Sequence, residues 1–126
     1  MSLTLFALDN EFAVCRLPAD ASVPNWATDS KFFSVTRTQD ELSIVCAQTD
    51  VPSNIQVEPN WTCLKVQGPL DFSLTGVLNS LTMPLADAGI SIFAISTFDT
   101  DYLMVKQNQL EATIQALTQA GHQIER

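Results

Sequence analysis

Three aspartates and two hydroxyls are the side chains of this sequence best suited to chemistry. Ser96 and Thr97 stand just before Asp99 and Asp101, and Asp71 follows Gly68-Pro69-Leu70 further upstream. Carboxylates grouped in this way can balance an ammonium or guanidinium through charge-assisted hydrogen bonds. The same residues have plainer uses: Asp71 fits a helix cap, Asp99 and Asp101 fit a turn, and Ser96 and Thr97 fit a strand. Two carboxylates in one turn also leave open a metal-dependent enzyme using Asp99 and Asp101. Nucleophilic catalysis has little to draw on. The one histidine, His122, follows a helix-ending glycine and is expected to face solvent or to sit at a strand end; a Cys–His dyad would have to use it. Neither a Gly-x-Ser-x-Gly elbow nor a Gly-x-x-x-x-Gly-Lys loop occurs. Cys15, Cys46 and Cys63 lie in strand-like runs without a Cys-x-x-Cys pair, as expected of buried free thiols.

Composition narrows the classes. Six Lys and Arg against 14 Asp and Glu give a net charge of −8, which disfavours a phosphate-backbone partner. With 46% apolar and 16% charged residues the chain carries enough apolar surface to fold. Its apolar runs are far short of a bilayer span and its first residues do not read as a secretion signal, so a soluble, cytoplasmic protein is expected. At 126 residues it can bury one core, or two small ones sharing a sheet.

The candidate residues need elements to hold them. Trp61 to Gln67 alternates as a strand ending at Gly68-Pro69, with Leu64 and Val66 on one face. Leu74, Val77, Leu78, Leu81, Leu85 and Ala88 then form one helical stripe, with Asp71 or Ser73 as its cap and Gly89 just past its end. Gly76 falls inside this helix, which suggests a close approach by a ligand or by another backbone, and Pro84 predicts a kink. Ile90–Thr97 and Tyr102–Lys106 read as a hairpin around Phe98–Asp101, with Phe93 and Ile95 in a core or an interface. Asn108 and Glu111 resemble a capping box before a helix carrying Leu110, Ile114 and Leu117, which stops at Gly121. A short last strand over 122–125 completes β-α-β-β-α-β, the ferredoxin-like split.

The first half is less regular. Leu3–Leu8 and Glu11–Leu17 read as two strands around an Asp9-Asn10 turn, Asn25-Trp26 as one helical turn, and Phe32–Arg37 with Glu41–Ala47 as a second hairpin. Sliding Phe33–Val45 forward by 60 positions lays it on Phe93–Val105, an internal repeat that predicts two tandem units with a boundary near Asn60-Trp61.

Gly68-Pro69-Leu70-Asp71, Pro84-Leu85-Ala86-Asp87-Ala88-Gly89-Ile90-Ser91-Ile92, and Ile95-Ser96-Thr97-Phe98 with Asp101 resemble an ACT domain. More narrowly, they are similar to the ACT-like domains of the CASTOR arginine sensors and their small bacterial relatives, and to those of aspartate kinases. The resemblance implies a regulatory module, not a catalyst, that holds an amino-acid-like ligand where ACT units meet. Carried over by position, it assigns Gly68, Pro69, Leu70 and Asp71 to one side of the site, and Ile95, Ser96, Thr97, Phe98 and Asp101 to the other. It implies that Asp101 faces the cationic end of the ligand, while Asp71 stands where the CASTOR motif has glycine.

The expectation is therefore an α+β protein of tandem ferredoxin-like (βαββαβ) ACT domains, over residues 1–61 with reduced helices and 62–126. It binds a small amino-acid-like ligand, forms a homodimer, and has a protein partner of unstated identity. It uses no cofactor, catalytic residue or metal, and engages neither nucleic acid nor membrane. A ligand-free interaction module is the second reading.

Overall fold

The computed structural model describes residues 1–71 and 75–126. The predicted cap Ser73 and the first stripe residue Leu74 lie outside the described residues. The elements are β1 (Thr4–Leu17), β2 (Ser34–Arg37), β3 (Leu42–Ala47), β4 (Gln56–Val66), α1 (Val77–Asp87), β5 (Ile92–Ser96), β6 (Asp101–Lys106), α2 (Leu110–Gln119) and β7 (Gln123–Glu125), with single 3-10 turns at Asn25–Thr28, Gln48–Asp50 and Gln107–Gln109. They form an α+β, ferredoxin-like fold in two compact units. One comprises Met1–Asp9 with Thr62–Arg126, the other Asn10–Trp61. Residues 1–9, grouped by sequence with the first half of the chain, thus pack with the second half.

In the C-terminal unit the strand order is β5-β6-β4-β1-β7. The short last strand does not lie beside β4. The first segment of β1 takes that place, and β7 pairs parallel with it through Thr4↔Gln123 and Phe6↔Glu125. The core beneath is Leu5, Leu64, Val66, Leu81, Leu85, Ile90, Leu103, Val105 and Leu117. Two of these, Leu81 and Leu85, come from the apolar stripe, so the 3.6-residue period aims α1 at the sheet. Both helices stop as expected. Gly89 (φ 73°) and Gly121 (φ 98°) adopt the left-handed conformation, and Ile90 N–H→Leu85 C=O and His122 N–H→Leu117 C=O complete Schellman closures.

The helix starts differ from expectation. α1 begins at Val77 with Gly76 as its N-cap at φ 78°, so Asp71 lies too far upstream to cap it. A Cβ on Gly76 would meet nothing within 4 Å, so its left-handed backbone, not a close contact, is what calls for glycine. α2 begins at Leu110 after the turn Gln107–Gln109, so Asn108 is not its cap. Pro84 lies inside α1 as expected. His122, expected to face solvent or to sit at a strand end, directly precedes β7 and is only 4% exposed. Its Nδ1 accepts the Leu3 N–H at 3.1 Å, which leaves the proton on Nε2 to donate to the Ser80 carbonyl at 3.0 Å.

In the N-terminal unit the order is β2-β3-β1-β4. β1 is one unbroken strand, not two around Asp9-Asn10. Ladder pairing with β7 at its start and with β3 from Phe12↔Ala47 to Leu17↔Leu42 outweighs the local turn preference. The core here is Ala13, Cys15, Ala27, Leu42, Ile44 and Cys46, with Phe12 and Phe32 edge-on at 5.6 Å.

The two hairpins correspond at an interval of 59, one less than the sequence match. Arg37↔Leu42 and Ser96↔Asp101 are equivalent pairs, and the turns Gln48–Asp50 and Gln107–Gln109 keep the same interval. A one-residue difference exchanges the faces of every side chain. At 59 the shared residues are Thr38/Thr97, Asp40/Asp99 and Gln48/Gln107. Each threonine closes a two-residue loop. Its N–H and hydroxyl meet the carbonyl of Glu41 or Thr100, and its oxygen accepts that residue's N–H.

All three thiols are buried. Cys46 donates to Cys15, which raises its own pKa and lowers that of Cys15. Burial pushes Cys63 up to about 12. The folded chain therefore keeps the Cys63 proton above about pH 8.5, where an exposed thiol in the unfolded chain gives it up. The resulting stability is complete below that value and is lost as pH rises towards about 12. Urea unfolding should show stability falling between about pH 8 and pH 11, and Cys63→Ala, though weaker at neutral pH, should fall less over that interval.

Candidate functional site

A cavity of about 580 Å³ lies in the C-terminal unit, a size suited to a small metabolite. One wall is Leu70 and Asp71, the floor is Gly76, Val77 and Leu78 at the start of α1, and the opposite wall is Ser96 to Asp101. The structure thus brings together Leu70, Asp71, Ser96, Thr97, Phe98 and Asp101 of the residues singled out by sequence. Gly68, Pro69 and Ile95 do not line it. Ile95 is excluded by strand parity, since neighbours along β5 point to opposite faces and Ser96 takes the cavity side.

Gly68 has another task. A Cβ there would stand 3.1 Å from the Asp99 carbonyl oxygen and 3.1 Å from Thr100 Cβ. A side chain there would force the hairpin backbone to give by a few tenths of an ångström, which glycine avoids. The Gly68-Pro69 peptide is cis, and two residues on the Leu70 N–H donates to the Asp99 carbonyl at 2.7 Å.

The polar groups have defined roles. The Ser96 hydroxyl donates to the Asp101 carboxylate, which leaves the Ser96 oxygen polarised as an acceptor. The Thr97 hydroxyl is engaged in its turn, donating to Thr100 at 2.9 Å. Asp71, Asp99 and Asp101 put three carboxylates in the lining, and no Lys or Arg is among the described lining residues. At the floor Gly76 supplies no side-chain oxygen to the first amides of α1, and the first helical bond inward is Ser80 N–H→Gly76 C=O at 2.9 Å. A helix start presents amide N–H groups and partial positive charge, the usual setting for a carboxylate. The arrangement can therefore hold a cation at one end and an anion at the other. Among the described residues no group of three or more His, Cys, Asp or Glu is placed to hold a metal ion. Thr100, Val77 and Leu78 were not singled out by sequence; the helix start, had it been placed at Val77, would have pointed to the last two.

Comparison with known proteins identifies the class. The family model described as "ACT domain" matches residues 56–119, about half the chain, and the chain belongs to the ACT domain family. A second model, of an N-terminal domain, matches residues 10–54. A crystal structure of a protein from Agrobacterium tumefaciens is 44% identical, with TM-score 0.94 over 98% of this chain and 92% of that one. Among curated relatives, human "Putative protein CASTOR3P" is 32% identical over 66% of this chain and 59% of its own length. The bovine "Cytosolic arginine sensor for mTORC1 subunit 1" is 29% identical over 69% of this chain and 30% of its own length. The chain thus spans well under two thirds of these relatives. The regulatory subunit of aspartate kinase from Thermus thermophilus, at 13% identity and TM-score 0.60 over 92% of this chain and 95% of its own, shares the fold. Among the described residues no helix is long and apolar enough to cross a membrane.

The contact at Gly68 gives a direct check on the cavity wall. Gly68→Ala should lower stability by about 1–3 kcal/mol, because backbone lies in the path of the new methyl. Gly68→Ala should also shift the amide resonances of Leu70 and Thr100 in a two-dimensional NMR spectrum, while Ile44 and Val45 in the other unit keep theirs.

Proposed function

We propose that this chain is an amino-acid-binding regulatory module of the ACT type, with its ligand in the cavity between Leu70–Asp71, the start of α1 and the hairpin tip. The observation that carries the reading is the polarity of that cavity. Helix amides at Val77 and Leu78 suit an α-carboxylate, and the carboxylates of Asp71, Asp99 and Asp101 suit a cationic group. Ser96, its proton given to Asp101, adds an acceptor for an ammonium. Among amino acids this favours those with a positively charged side chain. The relatives named as arginine sensors support a role in sensing such compounds. No catalytic step belongs to the reading. Binding would act by favouring one assembly or partner-binding state over another, to the extent that the ligand prefers that state.

A homodimer is part of the proposal, since β5 ends the strand order and leaves an edge able to meet a second copy. A second reading, a ligand-free interaction module, draws on Phe98, which is 84% exposed at the hairpin tip.

A thermal-shift screen of the common L-amino acids separates the two. At a hundredfold excess over Kd the binding reading expects about 2.7 kcal/mol of stabilisation, a rise in Tm on the order of 10 °C. Asp101→Asn should weaken affinity about tenfold or more, which at the same ligand concentration cuts the stabilisation to about 1.4 kcal/mol or less. If no amino acid moves the melt, and native mass spectrometry shows a dimer that Phe98→Ser abolishes, the interaction module stands instead.

A further inference from the structure

We infer that Thr100 is a positioning residue for this cavity: its side chain docks the hairpin tip onto the end of β4 and so sets the gap between the two walls. The inference rests on the binding reading above. Thr100 is 5% exposed. Its hydroxyl donates to the carbonyl of Val66, the last residue of β4, at 2.7 Å. Its Cβ is one of the three atoms that would crowd a Cβ on Gly68, and its neighbour Asp99 accepts the Leu70 N–H at 2.7 Å. Three contacts within one short stretch therefore join the Ser96–Asp101 wall to the strand end leading into Leu70 and Asp71. These residues line the cavity, but none of the three contacts uses the carboxylates, the Ser96 hydroxyl or the helix amides assigned to the ligand.

The other hairpin of the chain serves as an internal control. Glu41 occupies the position of Thr100 there, and its carbonyl accepts the Thr38 N–H at 2.9 Å, just as Thr100 accepts the Thr97 N–H at 2.8 Å. The loop closes equally well with a glutamate, which is half-buried. The Thr100 hydroxyl is thus not needed to make the turn. Its bond to Val66 serves to hold the turn against what lies below it.

Thr100→Val preserves shape and removes the donor, and Thr100→Ser keeps the donor. The test reads amide hydrogen exchange without ligand, then binding of whichever common L-amino acid shifts the wild-type melt. The expected result for Thr100→Val is exchange at the Leu70 amide at least tenfold faster, with Thr97 and the β3 amides unchanged. Affinity for that amino acid should fall about tenfold, the equivalent of one lost hydrogen bond. Thr100→Ser should restore both. Wild-type exchange at Leu70 and wild-type affinity in Thr100→Val would overturn the inference. So would a uniform rise in exchange that includes β3, which would mark a merely structural hydroxyl. If the wild type binds no amino acid, the binding reading falls, and the positioning role falls with it. The Leu70 exchange result then decides only whether the Thr100 hydroxyl docks the hairpin.

Discussion

Gly68 sits where two stretches of backbone nearly touch, and Leu70 and Asp99, which join them, both line the cavity. A strand end and a hairpin tip, far apart in sequence, are held by one amide-to-carbonyl bond, one buried hydroxyl and the lack of a single methyl group. Each contact alone is modest, about 1 kcal/mol for an ordinary hydrogen bond. Together they act on a stiff object, because a two-residue loop closed by its own threonine has little freedom to adjust. The aspartates beyond it can then be presented in a fixed arrangement without contacting one another's supports.

Much of this was readable in the residues. Both helix ends were, since Gly89 and Gly121 stand where a left-handed residue must. The hairpin over β5 and β6 and the burial of the thiols followed from alternation and composition. The two cavity walls were found as sequence segments. What was not legible depends on pairings that no local pattern records. Asp9-Asn10 looks like a turn until β7 and β3 claim the strand on both sides of it. Gly76 looks like a flaw in a helix until its positive φ marks the helix start. Ile95 belongs to the same sequence motif as Ser96, yet strand geometry turns it away. His122 looks like a surface residue near a chain end, but the Leu3 amide and Ser80 carbonyl give its ring two buried partners.

The two hairpins show one loop closure in two different settings. Thr38 and Thr97 close the same loop, and Gln48 and Gln107 both reach β4, Gln48 through Asn60 and Gln107 through Thr62. Beside this shared frame the details differ. Where the C-terminal unit has Ser96, the N-terminal unit has Arg37, whose guanidinium donates to the carbonyls of Ala19 and Ala21. In one unit the hairpin base faces a cavity; in the other it fastens a loop of the protein itself.

The discontinuity of the C-terminal unit bears on how the molecule comes into being. Asn10–Trp61 is contiguous and holds all of its own core, so it can condense as soon as it leaves the ribosome. Leu5 is made earlier but must wait for Leu64, Leu103 and Leu117 before it is covered, and the β1 segment around it waits for β7, made later still. The order of assembly thus runs from the middle of the chain outwards. The greasy first strand stays uncovered longest, which makes it the segment most in need of protection during synthesis.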